Sequence, residues 1–151
     1  MPDPVAVPPF LTRPHPETRI RHSQARPWPT IPAFQLPNAA GVTPAGPVVV
    51  QYGHRLKHGY AHVEAKHGSK IAESYGGQRV EDFIDTVLRA FDLAYQQVDK
   101  SLWIIQSRTR LSRCAILRPV WGADEFHWTL ITAYPLDRHP DPIKRKLVRL
   151  R

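Results

Sequence analysis

The chain has 151 residues, enough for one domain with a real core and too few for two substantial ones. Its 21 Lys and Arg against 13 Asp and Glu give a formal charge of +8, which favours a polyanionic partner such as nucleic acid or an anionic membrane surface. Apolar runs of a few residues fall far short of the ~20 that a spanning helix needs, the N-terminus lacks a secretion-signal layout, and the single Cys114 excludes an internal disulfide and any multi-cysteine zinc site.

Twelve of the 16 prolines lie in residues 1–47, in pieces such as Val7-Pro8-Pro9 and Arg26-Pro27-Trp28-Pro29, with no helical or alternating period. Each proline lacks a backbone donor and pushes its predecessor to extended geometry. The stretch therefore reads as a flexible, partly polyproline-II leader outside the core, from which Trp28 and Phe34 can dock on the domain or on a partner. Residues 48–138 form the expected domain. Residues 139–151 form a basic tail, with five basic residues among the nine from Ile143 to Arg151.

Within the domain, residues 60–74 show a weak helical period through Val63, Ala65, Ile71 and Ala72, ended by Gly76-Gly77. Residues 80–99 show a strong one: Val80, Phe83, Ile84, Val87, Leu88, Phe91, Ala94, Tyr95 and Val98 make one apolar stripe, with Glu81 and Asp82 in the first turn. After residue 100 the period becomes strand-like over 102–107, 114–120 and 126–134, separated by turns at 108–112 and 121–125. The expected fold is α+β, with N-terminal helices followed by an antiparallel meander sheet that the long helix covers. Of Trp103, Trp121 and Trp128, at least two are expected in the core.

Gly59 to Gly68 reads GYAHVEAKHG and concentrates His62, Lys66 and His67. On a helix Lys66 lies one turn from His62, and His67 lies about 140° further round. Imidazoles titrate near neutral pH, so one can take a proton from a ribose 2′-hydroxyl or protonate a leaving 5′-oxygen, while an ammonium offsets charge on a phosphorane. In the last strand, alternation places Phe126, Trp128, Leu130, Thr132 and Tyr134 on one face and His127, Thr129, Ile131 and Ala133 on the other. Thr132 and Tyr134 can then hold a phosphate oxygen or assist a proton transfer. Arg108, Arg110, Arg113 and Arg118 surround the first strand turn without an intervening acid and suit an RNA track. His54, His58 and His62 recur every four residues, but Gly53 and Gly59 weaken a helix there and neither a cysteine nor a well-spaced acid completes a site, so no metal or other cofactor is expected. Cys114 reads as a small buried hydrophobe.

The order GY-x-H-hydrophobic-x-x-basic-His-Gly, then Val80-Glu81-Asp82-Phe83 opening a helix, then strands closing with Thr132-Ala133-Tyr134-Pro135, resembles the barnase/EndoU/colicin/RelE (BECR) superfamily of ribonucleases. It is similar to the phage-associated branch and to contact-dependent-inhibition toxin domains, over about residues 53–136. The resemblance implies metal-independent cleavage of RNA, often tRNA, to a 2′,3′-cyclic phosphate. It implies His67 as general base or acid, His62 and Lys66 as its neighbours, and Thr132 and Tyr134 as the hydroxyl pair. Relatives place an arginine about eleven residues after the second histidine; here Gln78 holds that place and Arg79 is adjacent. Arg79, Lys66 or a hairpin arginine is then the charge donor. The partners implied are an RNA substrate and an immunity protein or antitoxin, without membrane insertion. The place of action implied is a bacterial cytoplasm, reached by phage or a secretion system. The competing expectation is a catalytically inactive nucleic-acid-binding or virion-associated module. Convergence of His67, Thr132 and Tyr134 on one basic cleft separates the two.

Overall fold

Six short strands precede the first helix: β1 (Val5–Ala6), β2 (Arg19–Arg21), β3 (Thr30–Ile31), β4 (Phe34–Gln35), β5 (Val42–Thr43) and β6 (Gly46–Gln51). Two helices follow, α1 (Gly59–Ser74) and α2 (Val80–Ala90), and then β7 (Leu93–Gln96), β8 (Leu102–Gln106), β9 (Ser112–Trp121), β10 (Phe126–Leu136) and β11 (Val148–Arg149). The computed structural model describes residues 3–8, 14–24, 26–35, 42–123, 125–137 and 148–149. The side chain of Phe34 and most of the basic tail lie outside the described residues.

The main sheet runs β1-β2-β6-β10-β9-β8-β7-β11, with β3 also on β6. The strand β6 is its junction because Val48 and Val50 enter the core while the alternate residues Val49 and Gln51 take the other face. On one edge β6 pairs antiparallel with β2 at Val50 and Gln51 and with β3 at Gly46 and Pro47. On the other edge it pairs parallel with β10, Val48 with Trp128 and Val49 with Thr129. The sheet is therefore mixed and mostly strand, and the helices sit in mid-chain after strands. This corrects the expected order of N-terminal helices before an antiparallel meander. The antiparallel run β8-β9-β10 is present, but as one part of a larger sheet.

The leader is also not outside the core. Ile20 on β2 and Ile31 on β3 are almost completely buried in the main cluster with Phe83, Ile84 and Trp128. Burying one such side chain contributes about 1.5–3 kcal/mol. Trp28 packs against the same cluster and donates its indole N–H to the Ile20 carbonyl at 2.8 Å. Charged contacts fasten this segment to α2: His22 Nε2 meets Asp82 Oδ1 at 2.7 Å, and the Ser23 amide donates to Glu81 Oε2 at 2.8 Å.

The helix α2 ends at Ala90, nine residues before the expected stop at 99. Phe91, Ala94 and Tyr95 fit a helical stripe but are used otherwise. Phe91 turns extended, Asp92 accepts the Ser107 amide at 2.6 Å, and Leu93–Gln96 pairs with β8. Leu93 and Ala94 are buried on opposite faces, so a two-sided strand imitated one helix face. Of the three tryptophans only Trp128 is completely buried. Trp103 is half-buried, and Trp121 is 71% exposed beside Phe126 at the tip of the β9–β10 hairpin. Among the described residues no helix is long and apolar enough to cross a membrane.

Candidate active site

A bulge in β10 between Leu130 and Thr132 sets the geometry of the site. It adds a residue at Ile131 and reverses the alternation beyond it. Trp128, Leu130 and Ala133 face the helices in the main core, whereas Tyr134 packs with Leu93, Ile105 and Cys114 on the opposite face. Thr132 and Tyr134 thus share a face, as expected, but it is the face of His127 and Thr129 and not that of Trp128 and Leu130. The register reading without a bulge is corrected accordingly.

The strand β6 stops pairing with β10 after Thr129, and α1 lies beside the second half of β10. His67 on α1 reaches Tyr134, with ring centroids 5.5 Å apart, and Lys70 Nζ, one turn further along α1, meets Oδ2 of Asp137, just past the end of β10, at 2.6 Å. By helical spacing His67 falls between the core residues Val63 and Ile71 on one face of α1. That position desolvates the imidazole. Burial, reinforced by the charges of His62, Lys66 and Lys70, lowers its pKa to about 4. His62 lies edge-on to it at 5.9 Å. The Nδ1–H of His62 donates to the Arg55 carbonyl at 3.0 Å, which leaves Nε2 as the lone-pair nitrogen of the neutral ring. Lys66 is exposed on the same helix. Among the described residues Thr132 Oγ1 is buried without a hydrogen-bond partner, a state that costs about 1–3 kcal/mol.

The other sequence candidates separate. Arg79 is committed elsewhere, to Glu81 Oε1 at 2.7 Å, Asp82 Oδ2 at 3.4 Å and Ser23 Oγ at 3.1 Å. Arg113 is buried: its guanidinium lies 4.0 Å above the Tyr75 ring and donates to Gln78 and Gln106. Arg108 and Arg110 are exposed ahead of β9, while Arg118 lies near its far end. Six residues of strand, ~20 Å, separate Ser112 at the start of β9 from Arg118. The four arginines do not make one track.

Arg118 instead borders a cavity of about 520 Å³ that the sequence did not disclose. The strands β2, β6, β10 and β9 lie side by side as its floor; Thr129 and Arg118 are partners across β10 and β9, Arg19 and Gln51 across β2 and β6, and the two pairs are offset by two residues because Thr129 stands opposite Val49. His127 lies two residues from Thr129 along β10, His58 just before α1 forms a wall, and the turn His15–Thr18 forms another. That turn is fixed by amide bonds from Gly53 to the Pro16 carbonyl, 2.8 Å, and from Tyr52 to the Thr18 carbonyl, 2.7 Å. Burial lowers the pKa of His58, and Arg118 and His62 lower it further; burial and Arg19 likewise lower that of His127, against a small opposing pull from Glu125. His15, Arg19, His58 and His127 belong to none of the matched motifs. The alternation that put His127 with Thr129 was the available signal, but it needs the β2–β6–β10 pairing to reveal its neighbours. His54 and His58 face each other across a β-bridge, and among the described residues no group of three or more His, Cys, Asp or Glu is placed to hold a metal ion. No family model, curated protein or solved structure matches the chain.

Proposed function

We propose that the protein is a metal-independent endoribonuclease acting at the junction of α1 and β10, in keeping with the BECR resemblance. The observation that supports this is the gathering of His62, His67 and Tyr134 at ring separations of 5.9 and 5.5 Å. In this reading the ribose 2′-oxygen attacks the adjacent phosphorus and gives its proton to an imidazole nitrogen. The bond from phosphorus to the 5′-oxygen breaks, that oxygen takes a proton from the second group, and a 2′,3′-cyclic phosphate and a 5′-hydroxyl remain. His67, uncharged at neutral pH, enters as proton acceptor, and His62 or Tyr134 completes the proton transfer. Lys66 supplies positive charge for the phosphorane, since Arg79 is held by two carboxylates. In this reading the Thr132 hydroxyl, closed off in the fold, meets a phosphate oxygen once the substrate is seated. A toxin-like role in a bacterial cytoplasm, with an immunity protein or antitoxin as partner, has the resemblance as its support.

Incubation with tRNA in EDTA tests this reading. The expected result is cleavage that leaves 2′,3′-cyclic ends and falls about 10²–10⁴-fold in His67→Ala. A requirement for magnesium, or full activity in that variant, removes the mechanism. One observation favours the second reading, an inactive nucleic-acid-binding or virion-associated module: an imidazole with a pKa of about 4 is a weak base. Equal affinity for RNA and DNA without cleavage would support that module.

A further inference from the structure

The cavity on the β9–β10 floor holds two guanidinium groups that form no ion pair with a carboxylate among the described residues, Asp99 acting on Arg118 only through space from outside the lining. Neither Arg19 nor Arg118 makes an ion pair or a side-chain hydrogen bond there, in contrast to Arg26, Arg79 and Arg89, each of which meets a carboxylate. They stand on the outer two of four adjacent strands, β2 and β9, two residues out of register with each other, and both border the same cavity. Between them lie groups that bond an anion without adding charge: the Thr129 hydroxyl, the Gln51 amide and the imidazoles of His58 and His127. Among the described residues the only carboxylate on the lining is that of Glu17, exposed on the leader turn; Glu125 acts on His127 from outside the lining. Two arginines against one exposed acid on the lining make the interior electropositive. Guanidinium forks match the paired oxygens of a phosphate better than any single point charge does.

We propose that this cavity is a phosphate subsite for a nucleic-acid strand, in which Arg19 and Arg118 hold the phosphate oxygens and His58 and His127 hydrogen-bond to them from the walls. The choice of a nucleic-acid phosphate rests on the ribonuclease reading; the anion site itself rests on the unpaired arginines. His58 precedes α1 on extended backbone and His62 lies in its first turn, four residues on, so a strand anchored in the cavity is led toward the His62–His67 pair. The leader turn His15–Arg19 becomes part of the binding surface, and the floor becomes a positioning device for the reacting phosphate next to it.

The test is a titration of the full chain with inorganic phosphate and with uridine 3′-monophosphate, followed by NMR of the histidine side chains and the backbone amides. The expected result is saturable shifts of His58, His127 and Thr129 for both probes, with upward movement of the two imidazole pKa values as the anion arrives. Arg118→Ala and Arg19→Ala should each weaken binding about tenfold and the pair about a hundredfold, with Arg118→Lys recovering part of the loss. Arg110→Ala removes the same charge beyond the other end of β9 and should leave the affinity within about twofold. Unchanged affinity in the Arg19/Arg118 double variant, with its thermal midpoint intact, overturns the subsite, as do shifts confined to other residues. Binding in the cavity without any RNA cleavage in EDTA keeps the subsite and removes the ribonuclease. Cleavage with wild-type KM in the double variant does the reverse.

Discussion

The imidazole of His67 lies against the phenol of Tyr134, centroids 5.5 Å apart and planes tilted by 35°, in a position where a helix of this pattern would ordinarily bury an aliphatic side chain. The folded pKa of about 4 lies below the ~6.5 of an unfolded histidine. Between those values the unfolded chain binds more protons at this site, so stability rises with pH. The contribution is complete above pH ~6.5 and is lost as pH falls toward about 4. His58 and His127 act with the same sign, which makes the difference between variants the useful quantity. In urea unfolding from about pH 7.5 to about 4.5, His67→Asn should lose less stability on acidification than the wild type. Identical acid limbs would contradict the assigned environment.

The leader is latched to α2 by a His22–Asp82 pair whose imidazole is fully buried. The Gln24 amide donates to His22 Nδ1 at 3.1 Å, so Nε2 carries the hydrogen directed at Asp82. Burial alone would raise the Asp82 carboxyl, but the bonds from His22 and Arg79 outweigh it and hold the pKa below its ordinary value. Removing His22 leaves Asp82, which is one-third exposed, with Arg79 as its remaining partner, and opens a cavity where the buried ring stood. His22→Ala should therefore cost about 1–3 kcal/mol and expose the segment from His15 to Ile31 to protease. A change below ~0.5 kcal/mol with unchanged cleavage would show the latch to be unimportant.

Much of the second half was legible in the residues. The strands at 102–106, 112–121 and 126–136 follow alternating β-branched and aromatic residues with clear turns between them. The first half was not, because Ile20 and Ile31 are isolated apolar residues among prolines, and each becomes a core residue only when β6 supplies an edge for its short strand. The long helix was overread because Phe91, Ala94 and Tyr95 satisfy both periods, and the choice was made by Asp92 bonding to Ser107. At the site, the closeness of His62 and His67 follows from one helix. Their meeting with Tyr134 depends on the bulge at Ile131, which no short motif announces. Arg113 reads as free charge in sequence because Tyr75 is distant along the chain and comes near only in the fold, whereas the acids that hold Arg79, Glu81 and Asp82, are its sequence neighbours.

Gly53 and Gly59 hold the cavity wall in place by letting two backbone segments cross. Their φ values are +74° and +84°, and a Cβ on Gly53 would stand 2.0 Å from the His58 carbonyl oxygen. Gly53→Ala therefore meets both left-handed strain and rigid backbone, and should cost more than about 2 kcal/mol. Because the displaced residue is His58, phosphate affinity should fall with it. Gly76→Ala has the same sign of φ but open space around the new methyl, so only the strain of about 1–2 kcal/mol is expected, with phosphate affinity unchanged. Equal effects of the two substitutions on stability and on binding would refute the crossing argument.

Arg113 is a structural cation. It stacks on Tyr75, whose hydroxyl bonds to the Leu111 carbonyl, and it ties Gln78 after α1 to Gln106 on β8. Arg113→Met keeps the stem but leaves two glutamine carbonyls without their donor, for an expected loss of about 1–3 kcal/mol. RNA affinity of the folded variant should stay within about twofold of the wild type, whereas Arg118→Ala should lower affinity and leave the thermal midpoint nearly unchanged. Filter binding beside thermal unfolding separates the two arginines, and the opposite pattern would restore Arg113 to the RNA track.

Thr132 gives the sharpest separation of structure from function. Its buried hydroxyl has no partner, so replacing it by a methyl of similar size removes an unsatisfied group. Thr132→Val should leave stability unchanged or raise it by up to ~1 kcal/mol, and valine suits the strand equally well. If that hydroxyl serves a phosphate oxygen, the same variant should cleave tRNA about tenfold more slowly or worse while remaining folded. A variant that gains stability and keeps full cleavage would leave the orphaned hydroxyl without a role in the chemistry. One that loses both would mean that the hydroxyl has a structural partner after all.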